Sequence, residues 1–159
     1  MKKLLVLVIV VSLFNCNTSR NEDVEYILPS NFIGVVVVVF DQINGKEIEY
    51  NEKKRVYRIP PNGILKTKFK QSRVTYSYAF YKIDSFGQKN KLDFYPALDL
   101  INEVDSNRLF CFKLEKTISS GIRSGKSVRF ESVLVTTLNK IDSIGRSRPF
   151  VQWELLKEI

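Results

Sequence analysis

The chain has 159 residues and a formal charge of +8, from 25 basic and 17 acidic side chains, and it contains no histidine. That length fits one domain with a sizeable core. The missing histidine removes Ser-His-Asp and Cys-His nucleophile systems and the commonest metal ligand, so no metal, no cofactor and no enzymatic activity are expected.

In chain order, Lys2 and Lys3 precede an apolar run from Leu4 to Val11 that continues through Leu13 and Phe14, the make-up of a signal-peptide core. As a helix, Leu4 to Phe14 rises only about 17 Å, against roughly 30 Å of hydrocarbon that a spanning helix must cross. A stable transmembrane anchor is therefore not expected from it. The run ends at Leu13-Phe14-Asn15-Cys16, which resembles a bacterial lipobox, with Phe14 and Asn15 where small residues are usual. The resemblance implies a signal peptide over residues 1–15, lipidation of Cys16, and a protein held on a membrane of the cell envelope, outside the cytoplasm, in the periplasm or at the surface. Residues 17–23 are polar and aperiodic, as a tether requires, so Cys16 and its tether occupy 16–23 and a folded domain is expected over 24–159. Cys111 is then the one remaining cysteine. It lies in the apolar run Leu109-Phe110-Cys111-Phe112 and reads as a small buried hydrophobe, with no intramolecular disulfide to form.

From Val24 onward the periodic segments read as strands. Ile33 to Phe40 is β-branched and lacks polar alternation, which predicts a central strand covered on both faces. Arg55 to Ile59 and Gly63 to Phe69 alternate, Thr75 to Ile83 is rich in aromatics, and Arg108 to Leu114 and Val128 to Leu138 are further strand candidates. Turn signals stand at Asn44-Gly45, at Pro60 to Gly63 and at Ser85-Phe86-Gly87. Tyr95 to Glu103 looks locally helical, and Phe150 to Leu155 reads as a last strand or a short terminal helix. Short strands at this spacing predict an all-β fold, a single small β-sandwich. Lys82-Ile83-Asp84-Ser85-Phe86-Gly87 recurs as Lys140-Ile141-Asp142-Ser143-Ile144-Gly145, which reads as two strand-ending turns of similar type.

Tyr26-Ile27-Leu28-Pro29, then Phe32, Gly34 and the Val36/Val38/Phe40 alternation resemble the opening of a bacterial lipoprotein family classed as a domain of unknown function. Gln42 and Gly45, then Arg55, Tyr57, Ile59, Pro60, Gly63, Leu65, Thr67 and Phe69 are similar to its second block, and Tyr81, Asp84 and Gly87 to its tyrosine-rich hairpin. The resemblance covers about residues 24 to 92. These are turn and core residues, so it implies an architecture and carries over no catalytic or binding residue.

Gly121 to Ser127 is superficially like a phosphate loop, but only three residues separate its glycines and a strand, not a helix, is predicted to follow. A basic hairpin loop is the plainer reading. The carboxylates Asp84, Asp93, Asp99, Glu103, Asp105, Asp142 and Glu154 are scattered, and no catalytic pair among them can be established from spacing alone.

The basic residues are the one functional handle. Lys66, Lys68 and Lys70 alternate along a predicted strand and project from one face, with Thr67, Phe69 and Gln71 on the other. Arg123, Lys126 and Arg129 are further cations that the fold is able to bring towards them, as are Lys53-Lys54-Arg55 and Arg146 with Arg148. An anionic glycan, lipid head groups or an acidic protein would suit such a surface, and a solvated, aggregation-resisting strand face explains the same pattern. No nucleic acid partner is expected. The overall expectation is a membrane-anchored, non-catalytic interaction module, with an envelope inhibitor or immunity-type lipoprotein as the alternative.

Overall fold

The computed structural model describes residues 22–71, 77–96, 105–120 and 127–141. Among these, nine strands form one sheet. They are β1 (Val24–Leu28), β2 (Gly34–Val39), β3 (Tyr50–Asn51), β4 (Lys54–Arg58), β5 (Ile64–Lys66), β6 (Tyr78–Ile83), β7 (Lys89–Tyr95), β8 (Phe110–Ser120) and β9 (Ser127–Thr136). The order across the sheet is β3-β4-β1-β6-β7-β8-β9-β2-β5. The β1–β4, β1–β6, β2–β5 and β7–β8 pairs are parallel. The remaining pairs are antiparallel.

The fold is all-β, and the layered core expected of a sandwich is present in a particular form. One continuous sheet curls so that its two arms face each other, because β7 bonds β6 on one side and β8 on the other. Strand twist accumulates over so many strands, and a register shift between Lys113 and Glu115 adds local bending. The enclosed core shows the curl directly. Val24, Tyr26 and Leu28 of β1, Tyr57 of β4 and Phe80 of β6 pack in one cluster with Val36 and Val38 of β2, Cys111 of β8, and Val133 and Val135 of β9.

The β-branched run becomes β2, which lies next to the end strand β5 and not at the middle of the sheet. It is nevertheless covered on both faces. Val36 and Val38 join the enclosed core, while Val37 and Val39 cluster with Phe130 on the other side, against Val35, Ile64 and Val128. This explains why the run has no polar alternation.

The free ends of the two arms are brought together by side chains. After β5 the chain continues extended, and Phe69, almost fully buried, meets Tyr57 of β4 at 5.5 Å and Tyr50 of β3 at 5.4 Å between ring centroids. The Arg55 guanidinium lies 4.7 Å from the Phe69 ring centroid, and its Nη1 donates to the Lys70 carbonyl at 2.8 Å. Each aromatic pair adds about 0.5–1.5 kcal/mol beyond area burial, so this contact closes the curl.

The turn signals form turns. Gly63 ends the Pro60 turn with φ near +79°, and a Cβ there would lie 2.5 Å from the Val35 carbonyl oxygen, so both conformation and space require glycine. Asp84 organises the β6–β7 turn by accepting from the backbone amides of Phe86 and Gln88.

Several expectations need correction. Tyr95, expected in a helix, ends β7, and residues 97–103 of that stretch lie outside the described residues. In the second copy of the repeat, Lys140 and Ile141 sit in a helical turn over 138–141 after β9, whereas Lys82 and Ile83 of the first copy lie in β6. Residues 142–145, and the segment Phe150 to Leu155, lie outside the described residues. Strand β7 was missed because Lys-Asn-Lys-Leu-Asp-Phe-Tyr has no apolar start, its first three side chains being exposed.

Candidate functional site

The lysine stripe falls at the end of the strand order. Leu65, Thr67 and Phe69 are buried while Lys68 and Lys70 are exposed and Lys66 is half-buried, which is the expected alternation. Regular pairing stops at Lys66. Beyond it, the segment 66–70 is bonded to the loop 41–46. The Asp41 amide donates to the Phe69 carbonyl at 2.9 Å, the Gln42 amide to Thr67 at 3.0 Å, and the Lys46 amide to Lys66 at 2.8 Å. A Cβ on Gly45 would lie 2.6 Å from the Thr67 backbone, so only glycine lets the loop come this close.

Lys66, Lys68, Lys70, Arg123, Lys126 and Arg129 are not shown to form one bare cluster. Lys68 is paired with Glu47. Arg129 is half-exposed, with Nη1 3.7 Å from Asp41. Among the described residues Lys66 and Lys70 have no carboxylate partner. Arg123 and Lys126 lie outside the described residues, as does Cys16. Through Asp41, Arg129 is drawn to the same end of the sheet as Lys68 and Lys70.

Arg55, one of the cations expected to be able to meet the stripe, does reach it. It bridges Glu22, 2.7 Å from Nη2, to the Lys70 carbonyl. Burial pushes the Glu22 carboxyl up, but hydrogen bonds from Arg55 and Tyr50 outweigh it and hold the group below its ordinary range. The Tyr50 hydroxyl is held up by burial and by its bond to Glu22. The point where the chain enters β1 is therefore stitched to the lysine-bearing segment.

A second polar feature lies inside. Tyr26 of β1 donates its hydroxyl to Glu131 of β9, and both are buried. Tyr78, Phe80, Phe94 and Lys113 surround the pair, with the Lys113 ammonium 5.3 Å from the Tyr78 ring centroid. The cavity beside them measures about 10 Å³, room for a single water and for no larger ligand. Burial, and then the charge of Glu131, raise the Tyr26 hydroxyl well above its ordinary value. A signal for this pair exists in the sequence. Glu131 shares its parity with Val133 and Val135, so an acidic residue stands at an inward position of an otherwise apolar strand face. Cys111 is likewise buried, and burial followed by the charge of Asp93 pushes its thiol upward, away from thiolate chemistry.

The described residues thus form a curled all-β domain with a basic strand end and a water-sized pocket beside Tyr26. The chain belongs to a family of unknown function, DUF6843, whose model matches residues 20–143. Its fold is similar to the crystal structure of a candidate lipoprotein from Bacillus anthracis, at 17% identity over 87% of this chain and 92% of that chain, with a TM-score of 0.55. At that identity the likeness is one of fold. No curated protein matches the chain.

Proposed function

We propose that this protein is a lipid-anchored lipoprotein of the cell envelope whose β domain is a non-catalytic interaction module. The observation that carries the reading is Cys16 at the end of the apolar run Leu4 to Phe14, followed by a polar tether and then the domain. The description of the Bacillus anthracis structure as a candidate lipoprotein supports it. Among the described residues no helix is long and apolar enough to cross a membrane. Two or three acyl chains suffice, each buried methylene contributing about 0.8 kcal/mol. The interaction surface is the strand end at Lys66, Lys68 and Lys70.

Metabolic labelling with a fatty acid tests the anchor. The wild-type protein takes up label and Cys16→Ala takes up none; label retained by the mutant overturns the assignment of the anchor to Cys16.

A further inference from the structure

The end of the domain that carries the lysines is also the end at which the chain would arrive from Cys16. Glu22 is held by Arg55, Arg55 bonds the Lys70 carbonyl, and the neighbouring Phe69 carbonyl accepts from Asp41. From Cys16 to Glu22 is six residues, which span at most about 20 Å when fully extended. A domain tethered through Cys16 therefore holds the loop 41–46 and the segment 66–70 close to the lipid surface.

The surface at that end has the chemistry of an interface with lipid. Of the five large hydrophobic side chains exposed among the described residues, three fall on one segment: Ile43, Ile48 and Tyr50. Ile43 is 87% exposed at the loop tip. It is fixed there by the backbone bonds that join Gln42 and Lys46 to Thr67 and Lys66. Asp41 is engaged by Arg129, Glu47 by Lys68 and Glu22 by Arg55, while Asp23 and Glu52 have no cationic partner among the described residues. Lys46, Lys66 and Lys70 have no carboxylate partner among the described residues. An apolar tip ringed by unpaired lysines suits an anionic bilayer, where the side chain enters the headgroup layer and the cations meet lipid phosphates.

Resting on the anchor reading above, we propose that this end of the domain docks on anionic phospholipid, with Ile43 inserted among the headgroups and Lys46, Lys66 and Lys70 against their charge. The domain then sits on its membrane in one orientation. Phe86 marks the contrast. It is equally exposed, at 87%, but lies in the β6–β7 turn. Because β6 runs parallel to β1, with Leu28 opposite Lys82, that turn is at the far end of β1 from Glu22.

The test uses the lipidated protein, purified in detergent and reconstituted in vesicles of phosphatidylcholine with or without phosphatidylglycerol. An environment-sensitive fluorophore is attached at Ile43→Cys or, separately, at Phe86→Cys. Cys111 is buried and Cys16 carries lipid, so labelling is selective. In phosphatidylglycerol vesicles the probe at position 43 shifts to the blue and is quenched by headgroup-labelled lipid, while the probe at 86 does neither. Lys46→Glu, Lys66→Glu and Lys70→Glu together, or phosphatidylcholine alone, abolish the response at 43. Equal behaviour at 43 and 86, or an undiminished response at 43 without anionic lipid, overturns the docking while leaving the anchor in place. Failure of the protein to float with any vesicle overturns the anchor, and the docking with it.

Discussion

The Tyr26–Glu131 pair ties the two arms of the sheet through a hydrogen bond between buried groups. Tyr26→Phe removes a donor from a buried carboxylate, which is expected to lower stability by about 1–3 kcal/mol, read as a shift of the urea unfolding midpoint at pH 7. The same residue governs behaviour in alkali. Tyr26 and Cys111 both keep their protons in the folded protein beyond their ordinary values of 10.0 and 9.0. The unfolded chain releases those protons first. The stability they contribute is thus fully present below about pH 9 and declines as pH rises through these values towards the raised folded ones. Unfolding midpoints measured from pH 8 to 11 should fall for the wild type and fall less for Tyr26→Phe and for Cys111→Ala. A parallel fall in all three would show that neither proton matters. Much at this scale was legible in the sequence, since the exposure of Lys68 and Lys70 and the burial of Thr67, Phe69 and Cys111 follow from alternation and run composition. The partner of Glu131 was not, because alternation gives a side chain's face and says nothing about the strand opposite.

Among elements, the segment after β5 has the largest consequence for its size. Phe69 lies beneath Arg55 and against Tyr57 and Tyr50, joining the two ends of the strand order. Phe69→Ala is expected to cost about 3–5 kcal/mol, within the range for removing a buried aromatic ring. Thermal unfolding measures it, and a loss below about 1 kcal/mol would mean that the arms hold together without this contact. Strands with one buried face or with dense β-branching, such as β2, β4 and β9, announced themselves through composition. β7 did not, and β8 runs to Ser120, beyond the apolar stretch that suggested it, because Glu115 to Ser120 extend a hairpin with β9 on backbone pairing. The four parallel pairings were also invisible. Period and propensity are local properties, whereas the choice of neighbour depends on contacts between residues far apart in the chain.

At the level of the whole molecule, the interaction surface proposed at the lysine-bearing end implies that stability and recognition separate there. Lys66→Glu, Lys68→Glu and Lys70→Glu together should leave the melting temperature within a few degrees, since the ion pair between Lys68 and Glu47 is exposed and worth at most about 1 kcal/mol. The same change should abolish any partner of the envelope that wild-type protein retains at low salt and releases at moderate salt. Loss of the folded state would contradict the exposure of Lys68 and Lys70 and the partial exposure of Lys66.

Proteins confined to a membrane plane meet their copies repeatedly in a shared orientation, a setting that favours polymerisation along open sheet margins. Among the described residues both margins of this sheet are poor templates. β3 has two residues and β5 has three, so an incoming copy finds only a few backbone groups to pair with before it reaches the loop 41–46 or the Phe69 contact. If the protein is held on a membrane as proposed, the shortness of the outermost described strands works against crowding-driven fibre growth and favours discrete molecules.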